Sequence, residues 1–195
     1  MDHDHPEAER PEAARAEAAR AEAALPASDD PAFLAWLRSL SHVLDLDAEA
    51  ELGTPGGRAF LRTGFAENGA VPAALFAPLV DEHRRVHAER VVATLLARAR
   101  RDTGRPLDVP VRHEWSDVPG GIGRVSVGHE TVEGLDTVDI VVSAAEGFQC
   151  HLADRERLVW PLCPDHRTGP HAARTPEGAA WVCSVTGHVV APLPG

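Results

Sequence analysis

The chain has 195 residues, 44% of them hydrophobic, and a formal charge of −11 at pH 7. That length suits one domain or a compact domain with a tail, and the apolar fraction can build a core, which excludes wholesale disorder. The charge argues against a broad nucleic-acid footprint and favours basic partners.

No apolar run approaches the length of a membrane span, and the acidic start Met1 to Pro6 lacks the apolar centre of a signal peptide. The expected location is therefore cytoplasmic, where three cysteines stay reduced. An odd cysteine count leaves no complete disulfide set, so metal binding, core packing and catalysis are the readings to weigh.

In chain order, residues 7–25 read EAERPEAARAEAARAEAAL. The AEAAR unit recurs every five residues, a step of about 140° on a helix, so no apolar stripe accumulates. Residues 1–27 are expected to form an exposed Ala/Glu/Arg-rich helical tail, and the sharper reading is an arm that docks a protein partner. A helical region is expected over 28–103. Asp30 is a candidate N-cap with Pro31 in the first turn, and Phe33, Trp36, Leu37, Leu40, Val43 and Leu44 share a face. GTPGG at 53–57 breaks this helix, a short segment follows around Phe60 to Phe65, and Asn68-Gly69 is a turn or C-cap. A second long helix is expected from about Pro78 to Arg101, with Arg98, Arg100 and Arg101 complementing its dipole.

From Leu107 the period becomes 2, and Leu107, Val109, Val111, His113 and Trp115 fall on one face of a half-buried strand. The glycine-rich Val118 to Gly123 matches no phosphate or dinucleotide motif and reads as a loop. Arg124–His129, Thr137–Ser143, Phe148–Leu152, Leu158–Trp160 and Trp181–Cys183 are further expected strands. The fold class is α+β: an N-terminal helical half, then a mainly antiparallel β-rich region over 104–195 that ends in a ribbon-like hairpin at 158–195.

Two of the three cysteines and three of the eleven histidines fall between Trp160 and His188. Cys163-Pro-Asp-His166 is a close pair of soft ligands on a Pro-containing turn. After sixteen intervening residues comes Cys183-Ser-Val-Thr186-Gly187-His188, and Thr175-Pro176-Glu177-Gly178 between them is a turn that can fold one pair onto the other. Zinc takes four N or S ligands in a tetrahedron, usually from two such pairs.

The stretch resembles a zinc ribbon, whose knuckles read C-P-x-C-G. Cys163, Pro164 and His166 match the first knuckle with His for the second Cys; Cys183 and Gly187 match the second. Thr186 stands where its second ligand belongs. His188 is the substitute and His171 the reserve. The same stretch resembles the ends of uncharacterised actinobacterial proteins that read W-P-x-C-P-x-H, then W-x-C. The basic residues, all Arg, also fit a GC-rich genome. The resemblance implies structural zinc on Cys163, His166, Cys183 and His188. A catalytic zinc would need an open position and a base, for which Asp165 and Glu177 are near in sequence.

Elsewhere, Cys150 alternates with Phe148 and Leu152, so it is expected to face the core while His151 faces away. His83 and His87 lie four apart on one helix face, as a metal site requires, but Arg84 replaces the Glu of H-E-x-x-H. A third ligand would have to be His113, Glu114 or His129; otherwise the pair is packed and hydrogen-bonded. Met1-Asp2-His3 could wrap Cu(II) or Ni(II) through the terminal amine. The functional expectation is a non-enzymatic intracellular binding or accessory protein with structural zinc. The alternatives are a metal-free interaction protein with a degenerate ribbon and a metal-dependent hydrolase built on His83 and His87.

Overall fold

The computed structural model describes residues 30–44, 46–119 and 121–195. The expected helical tail at 1–27, its partner-docking role and the Met1-Asp2-His3 chelate lie outside the described residues. The described part is α+β, with N-terminal helices followed by two small antiparallel three-stranded sheets.

The helices are α1 (Pro31–Leu44), α2 (Ala48–Gly53), α3 (Pro55–Asn68) and α4 (Ala73–Thr103). Asp30 caps α1, accepting from the Ala32 amide at 2.8 Å. Phe33, Trp36, Leu37, Leu40 and Leu44 are buried as their spacing predicts, whereas Val43 is exposed. The expected break at 53–57 is brief: α2 ends at Gly53 and α3 starts at Pro55, with Thr54 accepting from the Gly57 amide. The segment around Phe60 to Phe65 is the middle of α3.

Helix α4 begins at Ala73, five residues before the expected start, and Pro78 lies inside it. Phe76, Ala77 and Val80 are buried against α1 and Leu61. Helix packing there outweighs the single hydrogen bond that Pro78 cannot donate. At 31 residues α4 is about 46 Å long. Its first half packs in a cluster with α1, α3 and Leu135; its second half, from Ala88 to Ala99, packs in a cluster with the sheets.

The first sheet has β1 (Val111–Glu114), β2 (Arg124–Val127) and β3 (Glu130–Thr131) in the order β1-β2-β3. The expected strand from Leu107 is shorter than its period suggested. Leu107 and Val109 are buried ahead of it, and Trp115, placed on the inner face by alternation, is 72% exposed beyond its end.

The largest correction falls on 137–156. Two expected strands, Thr137–Ser143 and Phe148–Leu152, are one helix, α5 (Thr137–Glu156). Val138, Ile140, Val141 and Val142 suggested a strand. The buried set is Ile140, Val141, Ala144, Ala145, Gly147, Phe148 and Leu152, a helical spacing, and the Asp136 carboxylate caps the helix at the Val138 amide, 2.8 Å away. Leu158–Trp160 is also not a strand but an irregular link. Trp160 packs on Phe148 and donates to Asp102.

The second sheet is β4 (His171–Thr175), β5 (Gly178–Val182) and β6 (Val189–Pro192), in the order β4-β5-β6. Pro176-Glu177 turns β4 into β5, with Thr175 opposite Gly178. Ala172, Trp181 and Leu193 join the core under α5. Three polar contacts fasten this sheet to the rest. Gln149 donates to the Pro170 carbonyl at 2.7 Å. Arg174 pairs with Asp139 at 2.8 Å and with Asp136 at 3.0 Å. Among the described residues no helix is long and apolar enough to cross a membrane.

Two outcomes test this packing. Gly147 on α5 faces β2, and an added Cβ would lie 2.7 Å from the Val127 carbonyl oxygen. Gly147→Ala is expected to destabilise the fold by about 1–3 kcal/mol in urea unfolding, as overpacking against backbone does. Burial pushes the Asp136 carboxyl up, but hydrogen bonds from the Val138 and Gly56 amides and the Arg174 guanidinium outweigh it and leave it below its ordinary 3.8. Its contribution is complete above that ordinary value and is lost as pH falls through the lower folded value. Denaturation curves from pH 5 downward should show stability falling below about pH 4, and Asp136→Asn should flatten that part of the decline.

Candidate metal centre

Two loops carry the C-terminal ligand types. The first, Cys163 to Thr168, leads into β4; the second, Cys183 to His188, joins β5 to β6. They have the same backbone. In the first, Arg167 N donates to Cys163 O (2.8 Å) and Cys163 N to Thr168 O (2.9 Å). In the second, Gly187 N donates to Cys183 O (2.9 Å) and Cys183 N to His188 O (2.8 Å). Each loop turns on a left-handed residue four places after its cysteine, Arg167 (φ 55°) and Gly187 (φ 74°). Glycine holds that conformation without strain, which accounts for Gly187.

Because β4 and β5 pair along their whole length, both loops lie at the same end of the sheet. Cys163, His166, Cys183 and His188 each offer a ligand atom, and all four atoms lie within 4.8 Å of one another. His166 Nδ1 is 3.6 Å from Cys163 Sγ and 3.3 Å from Cys183 Sγ; His188 Nε2 is 3.6 Å from Cys163 Sγ. Zinc–sulfur bonds of about 2.3 Å and zinc–nitrogen bonds of about 2.0–2.1 Å at tetrahedral angles place S and N about 3.5 Å apart. The group is close enough to hold a metal ion.

The thiols are buried, Cys163 at 0% and Cys183 at 1% exposure, while His188 is half-buried at the solvent side. Burial pushes the Cys183 thiol up. Hydrogen bonds from the Val185 and Thr186 amides, the Thr186 hydroxyl and Cys163 bring it down to about 6. A thiolate, the form that binds metal, is therefore favoured at neutral pH. Thr186 Oγ1 lies 2.7 Å from His188 Nδ1. The Asp165 carboxylate reaches within 3.6 Å of His188 Nε2. Glu177 is at the opposite end of β5, about 17 Å along the strand. The reserve ligand His171 stands outside the group, 3.5 Å from the Ser184 hydroxyl.

The other sites considered in the sequence resolve differently. His83 Nε2 faces the Leu135 carbonyl at 3.0 Å, and its ring packs 4.4 Å from Phe60 and 4.7 Å from His87. Burial pushes both imidazoles below their ordinary value. Arg84 donates to the Gly134 carbonyl. His113 Nε2 faces Asp81 at 3.5 Å, Glu114 pairs with Arg124, and His129 contacts Arg155. Among the described residues no third ligand joins His83 and His87. Cys150, expected in the core, is exposed, and His151 beside it is half-buried against Gly128. On a helix two residues turn the chain by about 200°, so Cys150 leaves the Phe148–Leu152 face. Burial and the charges of Glu130, Asp154 and Glu146 raise its thiol, the reverse of an activated nucleophile.

Sequence reasoning found the four ligand types but treated Thr186 only as a gap. The Thr-x-His spacing was the available signal for its contact with His188. Titration with Co(II) should give one equivalent of a tetrahedral thiolate spectrum, and replacing both His83 and His87 by Ala should leave it unchanged. Comparison of the chain with protein-family models, with curated proteins and with solved structures gave no match, so neither the zinc-ribbon nor the actinobacterial resemblance gains support from that side.

Proposed function

We propose that this chain is a non-enzymatic binding or accessory protein whose C-terminal hairpin is held by one structural zinc on Cys163, His166, Cys183 and His188. The observation that carries the reading is the agreement between the S···N separations, 3.3 to 3.6 Å, and those of a tetrahedral zinc. Two sulfurs and two imidazole nitrogens suit zinc better than magnesium or calcium, which prefer oxygen. Four protein ligands fill the tetrahedron, so no position remains for a reacting water, and the zinc supplies folding energy rather than chemistry.

The site needs reduced thiols, which supports a cytoplasmic location. The charge of −11 favours a protein partner over nucleic acid, and the Ala/Glu/Arg tract at 7–25 is the segment assigned to meet it.

Elemental analysis of the full chain should find one zinc per molecule, and Cys163→Ser should remove it. A chelator should lower the melting temperature, because metal binding to the folded form alone adds directly to stability. A chain that carries no zinc and melts at the same temperature with and without chelator would establish the metal-free hairpin instead.

A further inference from the structure

We infer that Thr186 is a positioning residue of the metal centre: its hydroxyl holds the His188 ring so that a histidine two places beyond the usual ligand position completes the tetrahedron. This rests on the zinc reading above and deepens it.

The two loops give the comparison internally. Their backbone hydrogen bonds match one for one, so residues at equal distance from each cysteine occupy equivalent places. Three places after the cysteine stand His166 and Thr186; five places after it stand Thr168 and His188. In the first loop the ligand at the third place uses its near ring nitrogen, Nδ1, against both sulfurs. In the second loop the ligand stands at the fifth place and turns its far ring nitrogen, Nε2, toward Cys163. The longer reach of Nε2 compensates for the more distant origin.

That arrangement has a cost which Thr186 offsets. A neutral imidazole binds metal through the nitrogen that lacks a proton, so His188 must keep its proton on Nδ1. Thr186 Oγ1 is 2.7 Å from Nδ1 and accepts that proton's hydrogen bond, fixing both tautomer and ring rotation. One side chain in the vacated ligand place thus steadies the histidine that takes over the ligand's role. Thr186 itself is exposed on the loop, so its replacement leaves the core untouched.

The test compares full-length wild type with Thr186→Val, Thr186→Ser, Thr186→Cys, His188→Ala and the double variant Thr186→Cys with His188→Ala. Zinc affinity is measured by chelator competition and geometry by Co(II) absorption. Loss of the hydroxyl in Thr186→Val should weaken zinc about 10- to 100-fold and shift the Co(II) bands, as removal of such an outer partner does. Thr186→Ser should restore both. His188→Ala alone should weaken zinc at least as much, whereas the thiol introduced by Thr186→Cys should make His188 dispensable in the double variant. The melting temperature of the metal-free forms should be the same throughout. Equal zinc affinity in Thr186→Val and wild type would overturn this inference while leaving the zinc centre standing. Failure of wild type to take up Co(II) would overturn both.

Discussion

One buried carboxylate joins the three parts of this molecule. Asp136 is 3% exposed, and it is asked to serve a helix start, a second helix start and a strand at once. It caps α5 at the Val138 amide, accepts from the Gly56 amide in the first turn of α3 at 2.8 Å, and pairs with Arg174 on β4. A charge taken out of water is tolerable only when it is paired and hydrogen-bonded, and each of these contacts contributes to that requirement. The positions of α3, α5 and the C-terminal sheet are therefore not independent. With Gln149 on Pro170 and Trp160 on Asp102, they give the two ligand-bearing loops a fixed platform.

The platform matters because the sheet beneath the loops is small. Its strands are four or five residues long, and it sends Ala172, Trp181 and Leu193 into the shared core, with Ala179, Val190 and Ala191 partly buried beside them. Nineteen residues lie between the two cysteines. A metal ion bridging them would close that segment at its open end, opposite the Pro176-Glu177 turn, so that strand pairing and ligation would support each other from the two ends.

Legibility in the sequence followed the range of the interactions involved. Helix α1 was readable because its cap and its apolar stripe lie within one local stretch. The start of α4 was misplaced because Pro78 is a local signal for a first turn, while the burial of Phe76 against α1 is tertiary. Helix α5 was mistaken for two strands because its β-branched residues face a sheet and a long helix, a setting that suits them as well as a strand would. The four residues of the candidate metal group were readable because each sits on a turn with its own local signature. The contact of Thr186 with His188 was signalled only by their spacing, since whether the two meet depends on how a ring rotates above a loop.

The repeated loop backbone has a consequence for how such sites are sought. On the same turn the candidate ligand stands three places after the cysteine in the first loop, at His166, and five places after it in the second, at His188. A search template with a fixed interval between ligands scores the second loop as defective. A description in terms of backbone hydrogen bonds scores both as intact. The two loops share one chain path, so the interval from cysteine to histidine differs between them without any change of backbone.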